Sequence, residues 1–231
     1  MRPDDLPQIR ELNIFEGISD ENFDELMRAS FLQTFPAQME LIEEGEPADF
    51  LHIVVEGCVE LFASTNGRES TMAMVYPVSS FILAAILRDA VYLMSARTNK
   101  KSRVLMIPAV SVREVFDKDP AFSKAMVMEL ANCYRGVIKE HKNLKLRTSV
   151  ERLANRLLRY RQKQQSDQVT LPYDKKILAS NLGMTPENLS RAFNTLKPYG
   201  VKVEGNKITL TDIEALATFA KPSKLIDDLA I

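Results

Sequence analysis

Cysteine and histidine are scarce in this sequence, with two of each among 231 residues. Cys58 and Cys133 are too few and too far apart for a disulfide framework, which points to a reducing cytoplasm. No spacing of His, Cys, Asp or Glu stands out as a ligand set, so no metal site is expected. Long apolar runs are also missing, and with them any expected membrane span. The N-terminus, Met1-Arg2-Pro3-Asp4-Asp5, lacks the apolar core of a signal peptide. No nucleophile–base pair, no paired acids in a plausible cleft and no glycine-rich phosphate loop can be found, which argues against an enzyme.

What is present is enough apolar material for a substantial core, 45% of the residues. The length suits two compact domains or one large one. The net charge of −1 hides an asymmetry. Before Glu60, acids such as Asp20, Glu21, Glu43, Glu44 and Glu46 far outnumber the bases Arg2, Arg10 and Arg28. Between Lys139 and Lys163 the order reverses: Lys142, Lys145, Arg147, Arg152, Arg156, Arg159 and Arg161 face only Glu140 and Glu151. One half of the chain is thus suited to a polyanion.

The pattern predicts an α+β chain. Residues 7–35 read as mostly helical, with Ser19 as an N-cap ahead of Asp20 and Glu21. From Thr34 onward short strands alternate with turns. Phe50–Val55 reads as a buried strand, Glu56-Gly57 as a turn, and Val59–Ala63 as the next strand. Asn66-Gly67 is a strong hairpin signal before Ser70–Val75. Leu93–Thr98 and Arg103–Ile107 are expected as two further strands. Many short strands predict a roll of antiparallel strands. Asp119-Pro120 then opens a long helix running to about Lys145. Met126, Leu130, Cys133, Val137 and Leu144 make a narrow apolar seam along it, which predicts self-association. Thr148-Ser149-Val150-Glu151 is a capping box. It starts a helix carrying Leu153, Leu157 and Leu158, whose Arg152, Arg156, Arg159 and Arg161 could approach phosphates.

One stretch near the C-terminus reads as a helix-turn-helix. Gly183 can take the left-handed conformation that closes a helix. Thr185 is a good N-cap and Pro186 suits the first helical position. Leu178, Leu182, Leu189, Phe193 and Leu196 supply a buried face. Glu187, Asn188, Ser190, Arg191 and Asn194 point outward, and all can hydrogen-bond, as a major-groove reader requires. Strands are expected at Val169–Tyr173, Val201–Val203 and Lys207–Leu210, the last two joined at Gly205-Asn206, and Thr211 or Asp212 should cap a final helix. No role is evident for the tail to Ile231.

The run Glu43-Glu44-Gly45-Glu46-Pro47-Ala48-Asp49-Phe50-Leu51-His52-Ile53-Val54-Val55-Glu56-Gly57-Cys58-Val59 resembles the effector domain of the Crp/Fnr family of bacterial transcription regulators. Gly183-Met184-Thr185-Pro186-Glu187-Asn188-Leu189-Ser190-Arg191 resembles the family's DNA-reading motif, in its Fnr branch particularly. The resemblance implies a β-roll sensor domain over residues 1–118, similar to the cyclic-nucleotide-binding jelly roll. It further implies a dimerisation helix over 119–146 and a winged helix-turn-helix over 147–231. The partners implied are double-stranded DNA, a second copy of the chain and RNA polymerase. Glu187, Ser190 and Arg191 would read base edges in a TTGA-like half-site, with Arg191 on a guanine. Thr185 and Asn188 would make phosphate or flanking contacts, and Pro186 would alter the outer base preference.

The sequence departs from the family in its phosphate-binding cassette. Members that bind cyclic nucleotides carry a Gly-Glu pair there, then an Arg followed by Ser or Thr. Here the central run is Phe81-Ile82-Leu83-Ala84-Ala85-Ile86-Leu87, and Tyr92 and Leu93 align with the Arg and Ser/Thr. A buried phosphate without a cation or free N–H donors is costly, so cyclic AMP is not the expected effector. Arg88 or Arg97 could substitute for the missing cation. The apolar run either packs without a ligand or lines a pocket, with Phe81, Ile82, Leu83, Arg88 and Tyr92 as its candidate residues. A hydrophobic ligand or haem would suit such a pocket, and His52, His141, Cys58, Cys133 and the methionines are the only candidate axial ligands. The Fnr iron–sulfur cluster is excluded by count, since two thiols cannot supply four ligands.

Overall fold

The computed structural model describes residues 3–228. It divides into two compact units, one ending at Tyr134 and the next beginning at Arg135. The division falls inside the long helix, whereas boundaries at 118/119 and 146/147 were expected from the sequence.

The first unit opens with helix α1 (Leu6–Arg10), a short 3-10 turn at Asn13–Phe15, and helix α2 (Asp20–Arg28). The Ser19 hydroxyl caps α2 by accepting from the Asn22 N–H, satisfying one of the orphan donors of the first turn. Strand β1 (Phe31–Phe35) follows, so the expected helical region ends sooner than the composition suggested. Phe31, Leu32 and Phe35 are the bulky types that suit a pleated sheet. The sheet continues with β2 (Glu40–Ile42), β3 (Phe50–Thr65), β4 (Arg68–Val75), β5 (Ser79–Phe81) and, after helix α3 (Leu83–Arg88), β6 (Ser95–Pro108). All pairings are antiparallel, in the order β1-β6-β3-β4, with β2 also on β6 and β5 also on β3.

The expected turn at Glu56-Gly57 and the expected break between Thr98 and Arg103 are both strand interior. Residues 50–65 form one strand, with register shifts around Glu56 and Cys58 in place of a reversal. Gly57 has φ +99°, and a Cβ there would lie 2.2 Å from the Ser102 hydroxyl oxygen. Glycine is required because the backbone of β6 comes too close for any side chain. Residues 95–108 are likewise one strand. The Asn66-Gly67 hairpin joins β3 to β4 as expected, Thr65 opposite Arg68 and both turn residues at positive φ.

Helix α4 (Ala109–Lys118) and the first turns of α5 (Pro120–Leu146) close the core. Val112, Val115, Phe122 and Met126 are fully buried, and Phe122 stacks on Phe15 at 6.2 Å. Asp119 caps α5: its Oδ1 accepts from the Ala121 and Phe122 N–H groups, and its Oδ2 accepts from Asn22 and from the Ser19 N–H. The Asn22 amide and these backbone donors hold its carboxyl down at about 2.

The second unit contains the end of α5, α6 (Ser149–Gln164), β7 (Gln168–Thr170), α7 (Lys175–Asn181), α8 (Pro186–Leu196), β8 (Val201–Glu204), β9 (Lys207–Leu210), α9 (Ile213–Ala220) and α10 (Lys224–Asp227). The capping box at the start of α6 forms in both directions between Thr148 and Glu151. The antiparallel sheet β7-β9-β8 flanks the helix pair α7–α8, which gives the expected winged arrangement. Asp212, not Thr211, caps α9.

Candidate nucleic-acid interface and sensor core

The turn between α7 and α8 is built from local signals. Asp174 caps α7 through the Ile177 N–H. Gly183 has φ +63° and ends the motif's first helix. Thr185 accepts from the Asn188 N–H, and Pro186 occupies the first turn of α8. Leu189, Ala192, Phe193 and Leu196 are buried, and Leu178, Ala179 and Leu182 of the preceding helix and turn are buried as well. The opposite face of α8 carries Pro186, Glu187, Asn188, Ser190, Arg191 and Asn194, all exposed. Among the described residues, Asn188, Ser190, Arg191 and Asn194 make no side-chain hydrogen bond and no ion pair. The Glu187 carboxyl is held below its usual range by its own backbone N–H, by the Thr185 hydroxyl and by Arg191 nearby. A short helix thus presents donors and acceptors that the fold itself does not use.

The arginines of α6 differ from their expected role. Arg152 is buried and donates to the carbonyls of Leu182, Gly183 and Arg147. Arg156 donates to Asn181 Oδ1 and to the Tyr173 hydroxyl. Arg161 pairs with Asp167. Three of the four are therefore engaged inside the unit, and Arg152 and Arg156 brace the helix-turn-helix instead of facing solvent. The sequence held a clue: Arg152 and Asn155 lie beside Leu153 and Leu157 on the buried stripe.

On α5 one residue of the expected seam turns inward. Met126 lies in the core of its own unit and cannot meet a second copy, and Leu130 packs partly against that core. Cys133, Val137 and Leu144 are exposed. The apolar stripe that faces outward runs through Val127, Leu130, Tyr134, Val137, His141 and Leu144, at spacings of three and four. Tyr134 and Val137 are 68% and 65% exposed.

Most of the candidate effector residues are buried in the core or packed against it. Phe81, Leu83 and Tyr92 belong to the hydrophobic core, with Ile82 packed against it. Of the two expectations for the apolar run, packing without a ligand and lining a pocket, the burial of Phe81, Leu83, Ala85 and Ile86 supports the first. Ile82 enters α3 at φ +59° with no side-chain cap. The Tyr92 hydroxyl donates to the Phe50 carbonyl and accepts from the Phe50 N–H. Burial raises its pKa. Arg88 is exposed. Arg97 is committed elsewhere: its Nε donates to buried Glu60, its Nη atoms to Glu69, and its guanidinium lies 4.2 Å over Phe62. Glu60 also accepts from the Thr71 hydroxyl.

His52 is the polar group that sequence reading undervalued. It is 2% exposed, stacks on Phe81 at 5.3 Å, and neither ring nitrogen has a hydrogen bond of good geometry, though the Phe50 backbone lies close. Burial pulls its pKa down to about 4, with only a partial offset from the Phe50 backbone. Phe50 lies edge-on to the same ring at 6.5 Å, so His52 sits among aromatic side chains. Cys58 is buried and His141 exposed, and among the described residues no three metal-binding side chains cluster. No helix among the described residues is long and apolar enough to cross a membrane.

Comparison with known proteins matches these two regions to two families. Residues 32–119 match the cyclic nucleotide-binding domain, and residues 151–219 match the Crp-like helix-turn-helix domain. Over 215 residues the chain is 24% identical to the CRP-like cAMP-activated global transcriptional regulator of Mycobacterium tuberculosis, covering 90% of this chain and 96% of that protein. The structure of FixK2 from Bradyrhizobium japonicum superposes with a TM-score of 0.72 at 21% identity, covering 84% of this chain and 98% of that one. The c-di-GMP responsive global regulator CLP of Xanthomonas campestris gives 0.71 at 16% identity, over 83% and 99%. A β-sheet sensor domain followed by a long helix and a winged helix-turn-helix, in this order, defines a DNA-binding regulator rather than an enzyme. The chain belongs to the Crp/Fnr family of transcription regulators.

Proposed function

We propose that this regulator works as a cytoplasmic homodimer that reads an inverted repeat with TTGA-like half-sites. The observation that carries the reading is the outward face of α8, whose Asn188, Ser190 and Arg191 side chains are exposed and make no hydrogen bond or ion pair among the described residues. Arg191 would donate a bidentate pair to a guanine, Glu187 would accept from a cytosine or adenine amino group, and Ser190 would contact a neighbouring base edge. Thr185 and Asn188 would hold phosphates, which fix register without specifying sequence. Pro186 would shape the outer base preference. The exposed stripe on α5 from Val127 to Leu144 supports the dimer, since a three-and-four repeat is the pattern two helices bury against each other. Two reading heads one helical turn apart would require a palindromic operator. RNA polymerase is the expected further partner.

The signal at the β-roll is not cyclic AMP in this reading. Leu83 and Tyr92 occupy the core, Arg97 is neutralised by Glu60 and Glu69, and Arg88 is exposed at the end of α3, so none of these groups offers a free cation inside the buried cassette. A second reading, DNA binding that needs no effector and is controlled by abundance, is favoured by the close packing of Phe81, Leu83 and Ile86. Footprinting of protein purified without ligand tests both. Protection of an inverted repeat selected from random duplexes is expected. Protection that appears only after adding a ligand would favour the gated form, and binding without sequence preference would overturn the assignment of α8.

A further inference from the structure

The end of the described chain, expected to be an idle tail, is tied to the corner where α5 gives way to α6. Asp227 on α10 accepts two hydrogen bonds from Arg147, at 2.8 and 2.5 Å. The pair is nearly enclosed, with side chains 7% and 12% exposed. Asp227 also accepts from the Ser223 N–H at 2.7 Å, which folds the segment onto itself. Arg147 reaches back to Asn143 of α5, itself buried and bonded to Glu140. Lys139 of α5 donates to the Asp228 carbonyl. On the other side, Asn155 of α6 donates to the Ala220 carbonyl at the end of α9. Ile226 is buried among these contacts. Only Arg147 and Thr148 separate the two helices. Burial favours a neutral Asp227, but its bonds from Arg147 and Ser223 outweigh that and keep it ionised.

We propose that residues 223–228 are a latch that fixes the α5–α6 corner, and that Asp227 and Arg147 are positioning residues for reading two half-sites at once. The proposal rests on the dimeric reading above. Neither residue lies on the outward face of α8, so neither should contribute to a single half-site. Their effect should fall on spacing. A stiff corner holds each reading head at one distance from its twin, and a loose one lets both heads accommodate several distances. Removing one member of an enclosed pair leaves the other charge unpaired, which destabilises the latched arrangement specifically.

The test compares three duplexes by gel shift or anisotropy: the full inverted repeat, the same repeat with one base pair added between half-sites, and an isolated half-site. The parent should prefer the first by at least tenfold over the other two. Asp227→Asn should lose about tenfold or more on the full repeat, bind the half-site as the parent does, and discriminate little between the two spacings. A chain ending at Pro222 should behave the same way, and it serves if Asp227→Asn melts with the parent's fold lost. Unchanged spacing discrimination in the folded variant would overturn the latch, as would an equal loss on the half-site, which marks a merely structural role. A parent that gains nothing from the second half-site would overturn the dimeric reading and the latch together.

Discussion

Helices α3 and α8 are both short; α3 lies in the segment where the sequence left room for an effector, and α8 is the helix proposed to meet DNA. Their chemistry is opposite. In α3 the side chains turn inward: Leu83, Ala85 and Ile86 are buried and the helix has no side-chain cap. In α8 one face is buried, while the other holds donors and acceptors with no internal use. Thr185 caps it and Pro186 fixes its first turn, so the exposed groups are presented on a rigid element before any ligand arrives. A polar face left unsatisfied by its own fold is available for recognition, and an apolar segment satisfied by its own fold is not.

Mutations should separate the two helices cleanly. Ile86→Ala should cost about 2–5 kcal/mol of unfolding free energy, as cavity-forming core substitutions do, whereas Asn188→Ala on α8 should stay within about 0.5 kcal/mol. Urea unfolding checks both, and a mild Ile86 variant would mean that α3 is not core. His52, packed on Phe81 beside α3, should make stability depend on pH. Its folded pKa near 4 lies below the ordinary value of 6.5, so the unfolded chain binds the extra proton first. Stability is then full above pH 6.5 and falls as the pH drops toward 4, by up to about 3 kcal/mol. His52→Leu should abolish that slope in a pH series of melts, and a slope that persists would place it in other groups.

Arg191→Ala should weaken operator binding by about 1–3 kcal/mol per half-site contact, with thermal stability unchanged. Gel shifts with parent and mutant decide it, and equal affinities would remove Arg191 from the interface. Thr185→Ala should cost about 1 kcal/mol through the lost cap, seen as a lower melting temperature of the reading unit. The smallest effect expected is none: millimolar cyclic AMP should leave the melting temperature where it was. A ligand that binds the native state alone must raise it, so a rise of several degrees would show that the β-roll takes the nucleotide despite its buried cassette.

The parts that were legible in the sequence are those decided within a few residues. Ser19, Thr148 and Thr185 were recognisable as caps because a side chain three positions from its donor needs nothing else. Asn66-Gly67 was legible as a hairpin because positive φ is a local demand. Gly57 was misread for the opposite reason. Glu56-Gly57 looks like a turn until Ser102, far along the chain, is seen to fill the space above it. Met126 was misplaced for the same reason, since Met126 and Val127 both fit a three-and-four pattern and only the core of the first unit selects between them. Arg152 and Arg156 looked like phosphate contacts because a charge reveals nothing of its partner, and their partners are carbonyls and amides of the turn they support.

By itself, then, the sequence determined the family, the helix-turn-helix and the outward residues of its second helix, because caps, turns and a one-sided apolar stripe are short-range properties. The tertiary structure alone decided which polar and apolar groups are already spent. It buried Phe81, Leu83 and Tyr92, left the His52 ring without a hydrogen bond of good geometry, turned Met126 inward, and joined Asp227 to Arg147 across 80 positions. Burial and pairing depend on what the rest of the chain brings alongside a residue, and no local pattern carries that information.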